Sequence, residues 1–109
     1  MSDTPHVLEA LGERRVGFIG CGAMAQALAG GLVNAGLPPA RLMGADPVEA
    51  QRATWKQSLG VEATDDNAAL VAASDVVVLC VKPAVVAKVI DGLLQHFHGI
   101  ATRRASPGT

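Results

Sequence analysis

The chain has 109 residues, half of them hydrophobic, and ten acidic residues against nine basic ones leave a formal net charge of -1. That length suits one compact domain and is short for two, and so balanced a charge leaves no electrostatic footprint for nucleic acid or an anionic membrane surface. The longest apolar run, Val76 to Val81, is far shorter than the ~20 residues a membrane-spanning helix needs. The opening "MSDTPHVLEALGERR" lacks the cationic and apolar segments of a secretory signal, so the expected location is the cytoplasm. Cys21 and Cys80 are too few for a disulfide framework and lack metal-ligand spacing, which makes free thiols the expectation.

Residues 1–13 read as a flexible leader in which "VLEAL" allows a single helical turn. "RVGFIG" is a short apolar run ending in glycine, and "AMAQALAGGLVNAG" sets Met24, Leu28 and Leu32 at helical spacing. This predicts a strand and then a helix, closed by Gly36, Pro38 and Pro39. "RLMGA" predicts a second strand and "PVEAQRATWKQSL" a second helix, stopped by Gly60. "VEA" fits a minor strand, and "TDDNAALVAAS" a short helix with Thr64 or Asp65 as its N-cap. The β-branched run of "DVVVLCV" is the clearest strand and fits one buried on both faces. Pro83 ends it, "AVVAKVIDGLL" resumes helical spacing, and residues 96–109 read as a frayed tail. Strands and helices alternating at these lengths predict an α/β, Rossmann-type parallel sheet with flanking helices and right-handed crossovers. The fold is expected to be truncated at about four strands and to occupy residues 14–95.

Gly20-Cys21-Gly22-Ala23-Met24-Ala25 is G-x-G-x-x-A, placed after the first strand and opening the first helix. Gly20 permits a tight turn, Gly22 lets backbone approach a pyrophosphate, and Ala25 is small enough for the helix to lie against the strand. N–H groups at the helix start, with the positive end of its dipole, then meet phosphate charge. Gly30 and Gly31 lie too far along the helix to touch phosphate and are read as sites of close helix-to-sheet packing. Asp46 ends the second strand 26 residues after Gly20, where a dinucleotide-binding domain places a carboxylate for the adenosine ribose. Such a carboxylate favours NAD and repels the 2′-phosphate of NADP. "DPVE" also has the form of a helix start, with Asp46 as N-cap and Pro47 at the first helical position. Arg41 and Arg52 are expected to flank the site, which leaves the choice between NAD and NADP open. Asp75 reads as a solvated strand entry, "RRAS" as a basic chain end, and His96 and His98 point in different directions on a helix, so no metal is expected.

"VGFIGCGAMAQALAGGL", the strand ending in "ADP", and "DNAALVAASDVVVLCVKP" with the helix after it resemble the N-terminal half of pyrroline-5-carboxylate reductase, from about Arg14 to Leu94. The most specific element of the resemblance is the glycine motif paired with "VKP" at the end of the fourth strand. It implies contacts to a nicotinamide dinucleotide from Ile19, Gly20, Cys21, Gly22, Ala23, Met24, Asp46, Asn67, Cys80, Val81, Lys82 and Pro83. The physical reading agrees for Lys82 and Pro83, at the carboxyl end of a strand expected beside the first. Asn67 also suits a helix start, and Lys82 an exposed lysine before a helix. The activity implied is NAD(P)-dependent reduction of the C=N bond of 1-pyrroline-5-carboxylate to proline. Members of that family continue into a helical domain that forms the dimer and supplies substrate-binding groups, whereas this sequence stops at Thr109. The expectation is therefore a fragment inactive by itself, with no catalytic residue of its own and the edge of "VVVLCV" open to self-association. A 3-hydroxyacid dehydrogenase-type NAD-binding domain and a non-catalytic nucleotide-sensing domain are the alternatives.

Overall fold

The computed structural model describes residues 9–105, with 98–105 as helix backbone alone. Residues 1–8 of the expected leader, 106–109 of the expected tail and the His98 side chain lie outside the described residues.

The elements follow in the order β1 (Val16–Ile19), α1 (Ala23–Asn34), a 3-10 turn (Pro39–Arg41), β2 (Leu42–Ala45), α2 (Glu49–Leu59), β3 (Ala63–Thr64), α3 (Asn67–Ala73), β4 (Val76–Leu79) and α4 (Pro83–Ala105). All strands are parallel, in the order β3-β2-β1-β4, which is the expected Rossmann-type arrangement. The chain winds outward from β1 to β3 and then returns to β4 on the other side of β1. The switch point between β1 and β4 is where sheets of this kind open a crevice. Ile19 is in register with both Ala45 and Leu79, so β1, β2 and β4 finish level at their carboxyl ends.

One face of the sheet carries Val16, Phe18 and Leu42 against Ala25 and Ala29 of α1 and Trp55 of α2. Trp55 is fully buried, with its ring centroid 5.6 Å from that of Phe18. Strand β2 has Gly44 beneath it, where a Cβ would come within 2.8 Å of the indole. Burying side chains of this size contributes about 1.5–3 kcal/mol each. The opposite face is thinner, with Ile19 and Ala45 under Leu70 of α3 and with Val89 and Leu93 of α4 at the margin. Among the described residues no helix is long and apolar enough to cross a membrane.

Several expectations are corrected. Helix α1 buries Ala25 and Ala29, while Met24 and Leu28 are 70% and 49% exposed. Two alanines one turn apart let the helix axis come close to the sheet, and this turns the neighbouring larger side chains outward. Gly30 and Gly31 are not sites of close packing, since a Cβ would meet only Leu59 at 3.9 Å from the first and nothing within 4 Å from the second. Strand β4 is not buried on both faces. It lies at the sheet margin, with Val76 and Val78 turned inward and Val77 and Leu79 36% and 39% exposed. The segment 96–105 is helical rather than frayed. Val86, Val89, Leu93 and Phe97 continue a half-buried stripe at helical spacing, and no proline intervenes before Pro107. The leader orders earlier than Arg14, with a helical turn at 9–11 whose Leu11 packs against the first core.

The helix starts also shift. Helix α2 takes Val48 as N-cap, two residues beyond Asp46, and α3 takes Asp66, whose Oδ1 accepts the Ala69 N–H at 3.1 Å, rather than Thr64 or Asp65. Thr64 instead accepts the Asp66 N–H through Oγ1 at 3.1 Å. Gly60, at φ +70°, ends α2 as expected.

At the amino ends of the strands, Asp75 Oδ2 accepts the Arg15 N–H at 2.8 Å and lies 3.6 Å from Arg15 Nε. Asp75 is an exposed strand entry, as expected, and also ties the start of β4 to that of β1. The Arg15 N–H, more than the Arg15 charge, holds the Asp75 carboxyl below its usual range.

Candidate functional site

Three turns leave the level carboxyl ends of β1, β2 and β4. Gly20 begins the first, donating its N–H to the Ala45 carbonyl at 2.8 Å with φ +98°. A Cβ there would lie 2.4 Å from the Cys80 carbonyl oxygen. Both the backbone conformation and the approach of β4 therefore require glycine, and packing alone accounts for it.

Gly22 differs in kind. Its φ of -78° and ψ of -167° are open to any residue, and a Cβ would meet nothing nearer than Gln51 Nε2 at 3.9 Å. Nothing in the described packing explains a bare backbone at this position. Gly22 is the N-cap of α1, which has no side-chain cap and no acidic residue in its first turn. The first-turn N–H groups and the positive end of the helix dipole thus face outward without a side-chain partner. An open backbone cradle of this kind fits a diphosphate.

Cys21, between the two glycines, is pinned at both peptide groups. Its N–H donates to Asp46 Oδ2 at 2.9 Å, and its carbonyl accepts from Gln26 Nε2 at 3.0 Å. The side chain is fully buried in the core, and burial, followed by the negative charge of Asp46, pushes the thiol up to about 12. Such a thiol stays protonated at neutral pH and is no nucleophile, so only the backbone of Cys21 is presented at the turn. The other oxygen of Asp46, Oδ1, accepts the Val48 N–H at 2.8 Å, and the Asp46 carbonyl accepts from Arg52 Nη1 at 2.8 Å.

From β4, the Cys80 N–H donates to the Ile19 carbonyl at 2.8 Å. The Cys80 thiol is also raised by burial. Val81 packs beside the Ile19 cluster. Lys82 is exposed, and its carbonyl accepts the Val85 and Val86 N–H groups at 2.8 and 3.2 Å, which starts α4 behind Pro83. Ala23 and Met24 are exposed at the rim.

One edge therefore gathers Ile19, Gly20, Cys21, Gly22, Ala23, Met24, Asp46, Cys80, Val81, Lys82 and Pro83. Asn67 is the first residue of α3 and lines a different cavity of 530 Å³ with Asp66, Lys88 and His96. Arg41 does not flank the site. It precedes β2 at the amino end, where its guanidinium donates to the Gly12 carbonyl. Sequence reasoning missed Gln26, whose signal is faint: a lone amide one helical turn beyond Gly22.

Residues 15–100 match the model of the family described as NADP oxidoreductase coenzyme F420-dependent. The chain belongs to this family. Among its curated relatives, the pyrroline-5-carboxylate reductase of Pseudomonas aeruginosa is 42% identical over 79 residues, which are 72% of this chain and 29% of that protein. The pyrroline-5-carboxylate reductase of Glycine max is 43% identical over 79 residues, again 72% of this chain and 29% of the relative. The solved structure of a pyrroline-5-carboxylate reductase from Coxiella burnetii superposes with a TM-score of 0.71 at 32% identity, covering 76% of this chain and 31% of that one. The chain thus spans about three tenths of the length of these relatives. The resemblance read from the glycine motif and "VKP" is borne out, as is the fold class.

Proposed function

We propose that these residues form the NAD(P)-binding part of a pyrroline-5-carboxylate reductase, the enzyme type that reduces the C=N bond of 1-pyrroline-5-carboxylate to give proline. The observation that carries this reading is the open backbone at Gly22, ahead of an uncapped helix start at the switch point of the sheet. Gly22, Ala23 and Met24 hold the diphosphate through their N–H groups. Asp46 and Arg52 lie toward the adenosine ribose, and Cys80, Val81, Lys82 and Pro83 form the neighbouring wall at the end of β4. The family resemblance adds Asn67. A bound dihydronicotinamide supplies the hydride. The chain's own residues bind and orient the dinucleotide. Two free thiols fit a reducing compartment, which supports placement in the cytoplasm.

Titration of the folded chain with NADH and NADPH tests this reading. Quenching of Trp55, the single tryptophan and packed on β2 two residues before Asp46, gives the signal. Saturable binding of both cofactors at micromolar concentrations is expected, and folded protein that binds neither overturns the proposal. With pyrroline-5-carboxylate and either reduced cofactor, these residues alone should form no proline. Turnover above blank would refute that division of labour.

A further inference from the structure

We propose that Gln26 is a positioning residue for the dinucleotide. Its side-chain amide holds the Cys21–Gly22 peptide in the orientation that turns the Gly22 N–H toward a diphosphate, and Ser58 of α2 keeps that amide the right way round. This rests on the dinucleotide reading above and adds to it a residue from outside the G-x-G-x-x-A motif.

The glycine that leaves room for a ligand also loosens the peptide in front of it. Turning over the Cys21–Gly22 peptide plane carries φ of Gly22 from -78° to the positive side, a region that glycine enters about as readily as the negative one and other residues rarely do. A trans peptide is planar, so its carbonyl and its N–H point in opposite directions, and whatever holds the one aims the other. The Cys21 carbonyl is held by Gln26 Nε2 at 3.0 Å, its one hydrogen-bond partner among the described residues. The Gly22 N–H, trans to that carbonyl, donates to none of the described residues. The peptides on either side are fixed separately. Asp46 Oδ2 takes the Cys21 N–H at 2.9 Å, and the Gln26 N–H donates to the Gly22 carbonyl at 3.0 Å. With the Gln26 amide in place, the peptides leading into the open cradle are ordered before any ligand arrives, which lowers the cost of binding.

A primary amide can present either end to a carbonyl, and only its N–H₂ end is attracted. Ser58 selects that end: its hydroxyl donates to Gln26 Oε1 at 3.3 Å, which leaves Nε2 for Cys21. Ser58 belongs to the last turn of α2, so the arrangement exists only because α2 packs beside α1. Gln26 is half-buried there, in the groove that it shares with Gly30, Ser58 and Leu59. The helix itself does not require this side chain. Gln, Met and Lys have nearly equal helix propensity, so exchanges among them isolate the hydrogen bond.

The test uses the full chain, with Trp55 quenching by NADH and NADPH for affinity, urea unfolding for stability and the NMR amide resonance of Gly22 for the peptide plane. Gln26→Met keeps the length of the side chain and removes its donor. It should weaken both cofactors by about three- to tenfold. In the ligand-free chain it should shift the Gly22 resonance and leave the urea midpoint within about 0.3 M of wild type. Gln26→Lys restores a donor, and in about 0.5 M salt, which screens its charge, it should bind within about twofold of wild type. Ser58→Ala should weaken both cofactors by about twofold, and combined with Gln26→Met it should add nothing further. Gln26→Met that binds both cofactors within about twofold of wild type overturns the proposal, and so does Gln26→Lys that falls as far as Gln26→Met. Weaker binding with an unmoved Gly22 resonance, or with a lowered urea midpoint, also overturns it, because Gln26 would then be a staple of the fold alone. Should Gln26→Met fail to fold, Ser58→Ala decides: weaker binding with a shifted Gly22 resonance supports the proposal, and an unchanged pair overturns it. Wild-type chain that binds neither cofactor is the separate failure of the dinucleotide reading, and it takes this proposal down as well.

Discussion

The starts of α1 and α3 deal with the same set of open backbone donors in opposite ways. Helix α3 begins just after the edge strand β3 with Asp66 bound to the Ala69 N–H, a closure made within the chain. Helix α1 begins at the centre of the sheet with Gly22, no side-chain cap and no acidic residue in its first turn. An Asn or Asp at that N-cap would close one of the open donors and add roughly a few tenths of a kcal/mol over glycine, yet the position is bare. A capped start completes the fold, whereas an uncapped one at a level edge of three strands leaves its donors for an anion. Gly20 sharpens the contrast from two residues away, because there packing by itself already demands glycine.

The largest effect that could break this comparison is at Gly20. Gly20→Ala places a side chain at φ +98° and 2.4 Å from the Cys80 carbonyl oxygen. It should cost about 3 kcal/mol or more in urea unfolding, and an unchanged midpoint would mean that β4 and the loop are not in contact. Gly22→Val should stay within about 1 kcal/mol of wild type in the same assay, while NADH affinity falls by about tenfold or more as the side chain fills the cradle. Retained affinity would remove Gly22 from the site. Asp66→Ala is the mirror image. It should lose about 1 kcal/mol of stability with the loss of the α3 cap and change dinucleotide affinity far less than Gly22→Val does, acting only through Asn67 beside it. The smallest effect concerns Asp75. Its carboxyl is held below the ordinary 3.8 by the Arg15 N–H, so its contribution is present above that value and is lost as the pH falls through the lower, folded value. Asp75→Asn should flatten the pH dependence of the melting temperature in that acid window. The shift should be slight, because both partners are exposed.

Much of this was legible from neighbouring residues. The β-branched run of β4, the helical period after Pro83 and the stop at Gly60 each follow from chemistry within a few positions, and the G-x-G-x-x-A spacing marks its turn in the same way. Asp46 at the end of β2 was legible as a position but not as a set of bonds. Its partners Cys21 and Val48 belong to two turns that meet only once β1 and β2 pair. The reading of β4 as doubly buried failed for a related reason, since an apolar run looks the same whether or not a further layer covers it.

By itself the sequence determined the alternation of strands and helices, the glycine turn and the place of the acidic residue, because backbone freedom, side-chain branching and helical period act over a few residues. Only the tertiary structure decided that Gly20 is demanded by the Cys80 carbonyl while Gly22 faces open space, and that Met24 and Leu28 turn away from the core. It also decided that Asp46 fastens the loop. These depend on distances between segments far apart in the chain, which packing sets and local chemistry does not encode.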